Sequence, residues 1–262
     1  MLFSELALHE RVQKALTEQG FDKATPVQEK TLPLAMAGKD LMVSAETGSG
    51  KTAAFFLSMF NHMHSHPAPQ SATRALILVP TRELALQVFQ ACEKLAQYPY
   101  IKAGLIMGGE DFRHQINTLR KNPEILIATP GRLIEHMENN NHDFSDLEYL
   151  VLDEADRMLD MGFGADVLTI TNDCRKERQT LLFSATLTGN QLGKMAEEVL
   201  NDPTRITLKT ARDKHENIHQ QILLADDTAH KEKLLIWLLK NETYEKALIF
   251  TNTRAQANTF IG

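Results

Sequence analysis

The chain has 262 residues, 43% of them hydrophobic and 24% charged, with a formal net charge of −6. Those proportions belong to a soluble globular protein of one or two domains, long enough to bury a sizeable core. The acidic balance excludes general attraction to a polyanion, so such a partner must be met by a local basic patch. No stretch approaches a membrane span, and Met1-Leu2-Phe3-Ser4-Glu5 lacks the basic and apolar regions of a signal peptide. A cytoplasmic protein with no membrane partner is expected. Cys92 and Cys174 make no disulfide framework and read as small buried thiols.

Leu6, Leu8, Val12, Ala15 and Leu16 predict a first helix closed by Gly20. A second opens at Thr25-Pro26-Val27-Gln28, with Pro26 at its first position, and stops at Gly38. Gln28, taken alone, reads as a solvated residue just inside a helix start. The apolar run Leu41, Met42, Val43 then enters Ala45-Glu46-Thr47-Gly48-Ser49-Gly50-Lys51-Thr52, and a helix is predicted from Lys51 to about Met63. Strand, small-residue loop, Gly-Lys-Thr and helix make a phosphate cradle. Gly48 and Gly50 let the backbone curl so that successive N–H groups face phosphate oxygens, and the helix adds its positive end. Lys51 can reach the outer phosphates and the Thr52 hydroxyl can ligate Mg²⁺. Ala45 replaces the usual first glycine, at a position that turns the chain without close phosphate contact.

Five further short apolar runs follow, at 75–79, 103–107, 125–128, 149–152 and 180–183. With 41–44 they read as strands buried on both faces of a parallel sheet. Helical segments such as 83–96 and 112–121 supply the crossovers, so the expected fold is a doubly wound α/β sheet with helices on both faces. Ligands bind such sheets at the carboxyl ends of the strands. Those ends carry Ala45–Thr52, Pro80-Thr81-Arg82-Glu83, Gly108-Gly109, Thr129-Pro130-Gly131-Arg132, Asp153-Glu154-Ala155-Asp156 and Ser184-Ala185-Thr186. In the acidic group, one carboxylate can serve Mg²⁺ and its neighbour can orient or deprotonate water.

These motifs, in this order, resemble the first half of a DEAD-box ATP-dependent RNA helicase. Asp153-Glu154-Ala155-Asp156 spells the family name, and the opening Phe3, Gly20-Phe21, Thr25-Pro26 and Gln28 is similar to its adenine-reading motif. The resemblance covers essentially the whole chain and implies a RecA-like P-loop NTPase fold. It implies that Gln28 reads the adenine edge with Phe3 or Phe21 near the ring. Ala45, Glu46, Thr47, Gly48, Ser49, Gly50, Lys51 and Thr52 would hold ATP, with Thr52 and Asp153 at Mg²⁺. Lys51, Asp153 and Glu154 would be catalytic, Glu154 activating water. Asp156, Ser184 and Thr186 would couple nucleotide state to RNA grip. Pro80, Thr81, Arg82, Gly108, Gly109, Thr129, Pro130, Gly131 and Arg132 would lie along RNA, through backbone contacts that carry no base information. The implied activity is RNA-stimulated ATP hydrolysis driving local duplex unwinding or ribonucleoprotein remodelling by a monomer. The stretches 157–163 and Ile218-His219-Gln220 look similar to bacterial members of the SrmB-like, ribosome-assembly kind, which implies ribosomal partners.

The first domain is expected to span 1–208, with a polar linker at 209–216. Residues 217–262 resemble the start of a second RecA-like domain, with strands expected near 220–224 and 247–250 around a helix at 228–239. Later motifs of the family are absent from this sequence, so the chain is expected to bind nucleotide, turn it over poorly alone, and hold residues 217–262 loosely. A non-catalytic RNA- or partner-binding fragment and a DNA-directed P-loop helicase are the alternatives. His62, His64 and His66 alternate near a helix end without metal-ligand partners nearby. Leu234, Leu235, Trp237, Leu238 and Leu239 read as a core stripe, and Met158 and Met161 as packing residues.

Overall fold

Seven short strands make one sheet in the computed structural model: β1 Leu41–Ser44, β2 Ala75–Leu78, β3 Ala103–Ile106, β4 Ile125–Ala128, β5 Tyr149–Leu152, β6 Gln179–Ser184 and β7 Thr204–Thr207. The structure describes residues 1–46, 48–66, 73–97, 100–187, 189–208 and 221–259. Thr47, the expected linker at 209–216 and Ile218-His219-Gln220 lie outside the described residues. The chain divides into two compact units, Met1–Asp213 and Lys214–Gly262.

The sheet order is β3-β4-β2-β5-β6-β1-β7, and all pairings are parallel. The six predicted strands are all present. β7 was not foreseen, because Thr-Arg-Ile-Thr buries only Ile206, as suits an edge strand with one covered face. It extends the sheet beside β1, Leu41 opposite Thr204 through Ser44 opposite Thr207.

Alternate side chains of the inner strands enter two cores. Leu41, Val43, Ile77 and Val151 face one with α1 (Glu10–Glu18), α2 (Pro26–Met36), α3 (Lys51–Ser65) and α4 (Arg82–Ala96). Met42, Leu76, Leu78 and Leu150 face the other with α5 (Phe112–Arg120), α6 (Pro130–Glu138), α7 (Ala155–Asp160), α8 (Gly164–Asp173) and α9 (Asn190–Val199). Helix α3 buries Phe55, Phe56, Leu57, Met59 and Phe60, more than one stripe, because it is covered by α2 and α4 as well as the sheet. Phe55 meets Phe183 of β6 at 5.7 Å between ring centroids, fixing the helix that starts at the phosphate loop against the strand beside β1.

The amino edge of the sheet carries a closed ionic cluster. Arg74 Nε and Nη2 donate to Glu148 at 2.9 and 2.8 Å, and His62 Nε2 lies 3.2 Å from the same carboxylate. Burial alone would raise Glu148, but the bonds from His62 and Arg74 outweigh it and bring its pKa to about 2. His62 also stacks on His66 at 4.3 Å, and His64 stacks on His9 at 4.7 Å. The three histidines are thus structural, and among the described residues no group of three or more His, Cys, Asp or Glu is placed to hold a metal.

In the second unit, α10 (Thr228–Asn241) and α11 (Arg254–Thr259) form, but no strand forms among the described residues at 221–224 or 247–250. The expected core stripe is only partly covered: Leu234, Leu235, Leu238 and Leu239 are half-buried, α10 fully buries no residue, and Trp237 is 56% exposed. Leu224, Leu248 and Phe250 are exposed as well. Without paired strands there is no sheet for the helix to cover. Met158 is fully buried as expected, whereas Met161, at the end of α7, is exposed.

Candidate functional site

The loaded residues fall into two halves of the sheet's carboxyl edge. Strands β1, β6 and β5 carry the phosphate loop, Ser184 and the acidic group; β2, β4 and β3 carry the threonine, arginine and glycine motifs.

In the first half, Gly50 adopts a left-handed φ of 98° and ends the loop where α3 begins at Lys51. A Cβ there would lie 2.6 Å from Gln28 Nε2, so a side chain at residue 50 is excluded. The Lys51 ammonium donates to Ala45 O at 3.1 Å and lies 3.9 Å from Asp153 Oδ1, with both side chains buried. Ser49 Oγ donates to Glu46 O at 2.7 Å, closing the loop on itself. Thr52 follows Lys51 in the first turn, half-buried.

Asp153 leaves the end of β5 with 3% of its surface exposed. Burial pushes its carboxyl up to about 6; Lys51 draws it down, while Glu154 and Asp156 push it further up. Glu154 N donates to its Oδ1 at 3.0 Å. Glu154 itself sits at φ 55°, ψ 50°, a left-handed conformation that costs a non-glycine residue about 1–2 kcal/mol. Its carboxylate accepts from Arg157 Nη1 at 3.3 Å. A buried carboxylate, incompletely neutralised, and the hydroxyl of Thr52 in the first turn after the loop are oxygen donors of the kind that fits Mg²⁺, which takes few protein ligands and fills its sphere with phosphates and water.

Gln28 is buried, unlike the solvated residue its sequence position suggested, with 3% exposure. Its Oε1 accepts from Thr25 N at 2.8 Å and its Nε2 donates to Gly50 O at 3.0 Å, so the amide ties the start of α2 to the phosphate loop. Phe3 and Phe21 meet elsewhere: Phe3 is a core side chain and Phe21 is 42% exposed. Both line a small hollow with Leu16 and Asp22, which neither Gln28 nor the loop lines. Across β6, Asp156 Oδ2 accepts from both the N–H and the hydroxyl of Thr186 at 3.2 Å. Ser184 Oγ donates to Thr186 O at 2.5 Å, so the acidic group reaches Ser184 through Thr186.

In the second half, Thr81 caps α4, accepting from Leu84 N at 3.2 Å, and Pro80 is buried behind it. The Arg82 guanidinium lies over Gly109, where a Cβ would stand 2.3 Å from Nη1; with φ +78°, only glycine fits. Gly108 has open space around it. Thr129 N donates to Ile106 O at 3.0 Å, Pro130 opens α6, and a Cβ at Gly131 would stand 3.8 Å from Phe163, an ordinary contact. Arg132 Nη1 donates to Glu110 O at 3.0 Å, and its Nε lies 3.0 Å from Glu135.

Sequence reasoning missed what holds Arg132. Its guanidinium lies 5.7 Å from the centre of the Phe112 ring, which stacks on His136 at 4.1 Å and 3°. Burial lowers the pKa of His136, which favours the neutral ring, and His136 meets Gln115 at 3.2 Å. The spacing of Arg132 and His136, one turn apart on α6, was the available signal.

The sequence from 25 to 195 matches the DEAD/DEAH box helicase family model. The chain is 40% identical to the ATP-dependent RNA helicase SrmB of Escherichia coli K12 over 98% of its own length and 58% of that protein's. It is also 40% identical to the ATP-dependent RNA helicase CshA of Listeria monocytogenes, covering 98% of itself and 48% of CshA. The crystal structure of a hypothetical ATP-dependent RNA helicase from Sulfolobus tokodaii superposes with a TM-score of 0.71 at 30% identity, over 97% of this chain and 72% of that one. The chain thus spans about half the length of these two curated relatives. With the family's motifs on one sheet edge and a matching family model over most of its first unit, this chain belongs to the DEAD/DEAH box helicase family.

Proposed function

We propose that this chain is the ATP-binding part of an ATP-dependent RNA helicase, with residues 1–208 as the nucleotide-binding domain and RNA lying along β2, β3 and β4. The observation that carries the reading is Lys51 and Asp153 brought to 3.9 Å, both buried, at the end of a parallel sheet. Gln28, tied to the phosphate loop, selects adenine. The loop amides and Lys51 hold the phosphates. Thr52 and Asp153 would hold Mg²⁺, which when bound would supply positive charge against the phosphate oxygens. Glu154, fixed in its strained conformation one residue from Asp153, orients water and takes its proton. Asp156, hydrogen-bonded to Thr186, links the acidic group to the end of β6 and is the contact through which nucleotide state reaches RNA grip. Arg82, Arg132, Thr81, Thr129 and the backbone of Gly108 and Gly109 meet sugar and phosphate, which suits recognition without base preference. A cytoplasmic monomer acting on ribosomal or other ribonucleoprotein assemblies is the corresponding cellular reading.

The test is ATP turnover with and without single-stranded RNA, using Glu154→Gln as the blank. RNA-stimulated turnover absent from the blank supports the proposal, with a loss of about a hundredfold or more expected from removing the base. Mg·ATP binding with turnover equal to the blank favours a non-catalytic RNA-binding module instead. Failure to bind Mg·ATP overturns both. Competition by DNA as strong as by RNA of equal length would contradict the RNA assignment.

A further inference from the structure

The two arginines of the RNA-facing half share one acidic neighbour. Glu110 follows Gly109 directly. Its carboxylate lies 3.7 Å from Arg82 Nη2, and its backbone carbonyl accepts from Arg132 Nη1 at 3.0 Å. Arg82 and Glu110 are both more than half exposed, so neither is fixed by burial. The contact is nevertheless directed, because the bare Gly109 backbone lets the Arg82 guanidinium lie against the loop that carries Glu110. Arg132 is pinned from the opposite side by Glu135 and by the Phe112–His136 stack. Glu110 therefore sits between two guanidinium groups, presenting an anionic oxygen to one and a carbonyl oxygen to the other.

A phosphate bridging Arg82 and Arg132 needs the same donors. Exposed ion pairs are weak, about 1 kcal/mol or less, so the Arg82–Glu110 pair is easily exchanged. It still neutralises one of the few cations on this edge in a chain of net charge −6. We propose that Glu110 is an internal competitor for RNA phosphate, displaced from Arg82 when RNA docks, and that it sets the affinity and salt dependence of RNA binding. The inference rests on the reading of Arg82 and Arg132 as RNA contacts. Glu110 is a tuning residue, not one that touches the reacting atoms.

The experiment is fluorescence anisotropy of a labelled oligouridylate with the 262-residue chain, across a salt series. The proteins are the parent chain, Glu110→Gln, Arg82→Ala, Arg132→Ala and the Arg82→Ala/Glu110→Gln double variant. Glu110→Gln keeps the side-chain length and the backbone carbonyl. It is expected to bind about three- to tenfold tighter at low salt. The slope of log affinity against log salt steepens by up to about 0.7, because loss of the carboxylate raises by one the positive charge that this face presents to the strand. In the Arg82→Ala background the gain falls below about twofold. An unchanged Glu110→Gln affinity and slope, with Arg82→Ala and Arg132→Ala both weakened, overturns the inference and leaves the RNA face standing. A full gain retained in the Arg82→Ala background also overturns it, as a general charge effect. Binding unaffected by Arg82→Ala and Arg132→Ala removes the RNA-face reading, and the inference falls with it.

Discussion

Two carboxylates bracket β5, and the fold treats them in opposite ways. Glu148, just before the strand, takes two bonds from Arg74 and a third contact from His62, and its pKa falls to about 2. Asp153, just after it, has Lys51 at 3.9 Å and two acidic neighbours, and burial raises it to about 6. Four buried residues separate the two. What differs is how far each charge is neutralised. The amino edge is a finished ionic cluster that anchors the strand, whereas the carboxyl edge keeps a buried charge incompletely compensated. A buried carboxylate left in that condition beside a phosphate loop is what a cation and a nucleotide would complete.

The largest way to break this contrast is at Lys51. Lys51→Ala removes the cation nearest Asp153, and Mg·ATP affinity measured by titration calorimetry is expected to fall about a hundredfold or more. An unchanged affinity would mean that the loop is not a phosphate site.

Glu148→Gln should act on stability alone. Leaving Arg74 short of its partner is expected to cost about 2 kcal/mol in urea unfolding at neutral pH, below the ~3–5 kcal/mol of a fully buried pair because Glu148 is partly exposed. The lowered pKa fixes the sign: the Glu148 contribution is present above about 4.5 and lost as pH falls through about 2. The gap between parent and variant should close over that window. A gap that widens on acidification would contradict the assignment. Nucleotide affinity should not change, and a change would blur the division between the two ends.

The smallest effect is expected at Glu154. Glycine there relieves the left-handed backbone, so Glu154→Gly should gain roughly 0.5–1 kcal/mol in stability while losing turnover. A loss of stability would show that the strained conformation is not the site's burden.

Most of this architecture was legible in the sequence because the six expected strands are short apolar runs, and their ends carry the motifs. What escaped depends on partners distant in sequence. Gln28 reads as solvated until Gly50 is seen folding back over it, 22 residues away. His62 looks like a stray histidine until Glu148 arrives across the core. Glu110 and the Phe112–His136 stack gain meaning only when β3 and β4 lie side by side and bring Arg82 and Arg132 to one loop. β7 carries one buried apolar residue, too few to announce a strand. The reverse error occurred in the second unit, where 247–250 is as apolar as any inner strand but pairs with nothing among the described residues.

The most direct test of the contrast is the unfolding free energy of the parent chain and Asp153→Asn, with and without Mg·ATP, from pH 4 to 8. A raised carboxylate pKa means that the stability conferred by the protonated form is fully present below about 4 and lost as pH rises through about 6. Asp153→Asn should therefore match the parent at pH 4 and exceed it by up to about 3 kcal/mol at pH 8 without ligand. Mg·ATP should stabilise the parent and leave the variant nearly unmoved. A variant less stable than the parent at pH 8, or stabilised equally by Mg·ATP, would contradict the claim that Asp153 is held under-neutralised for a cation.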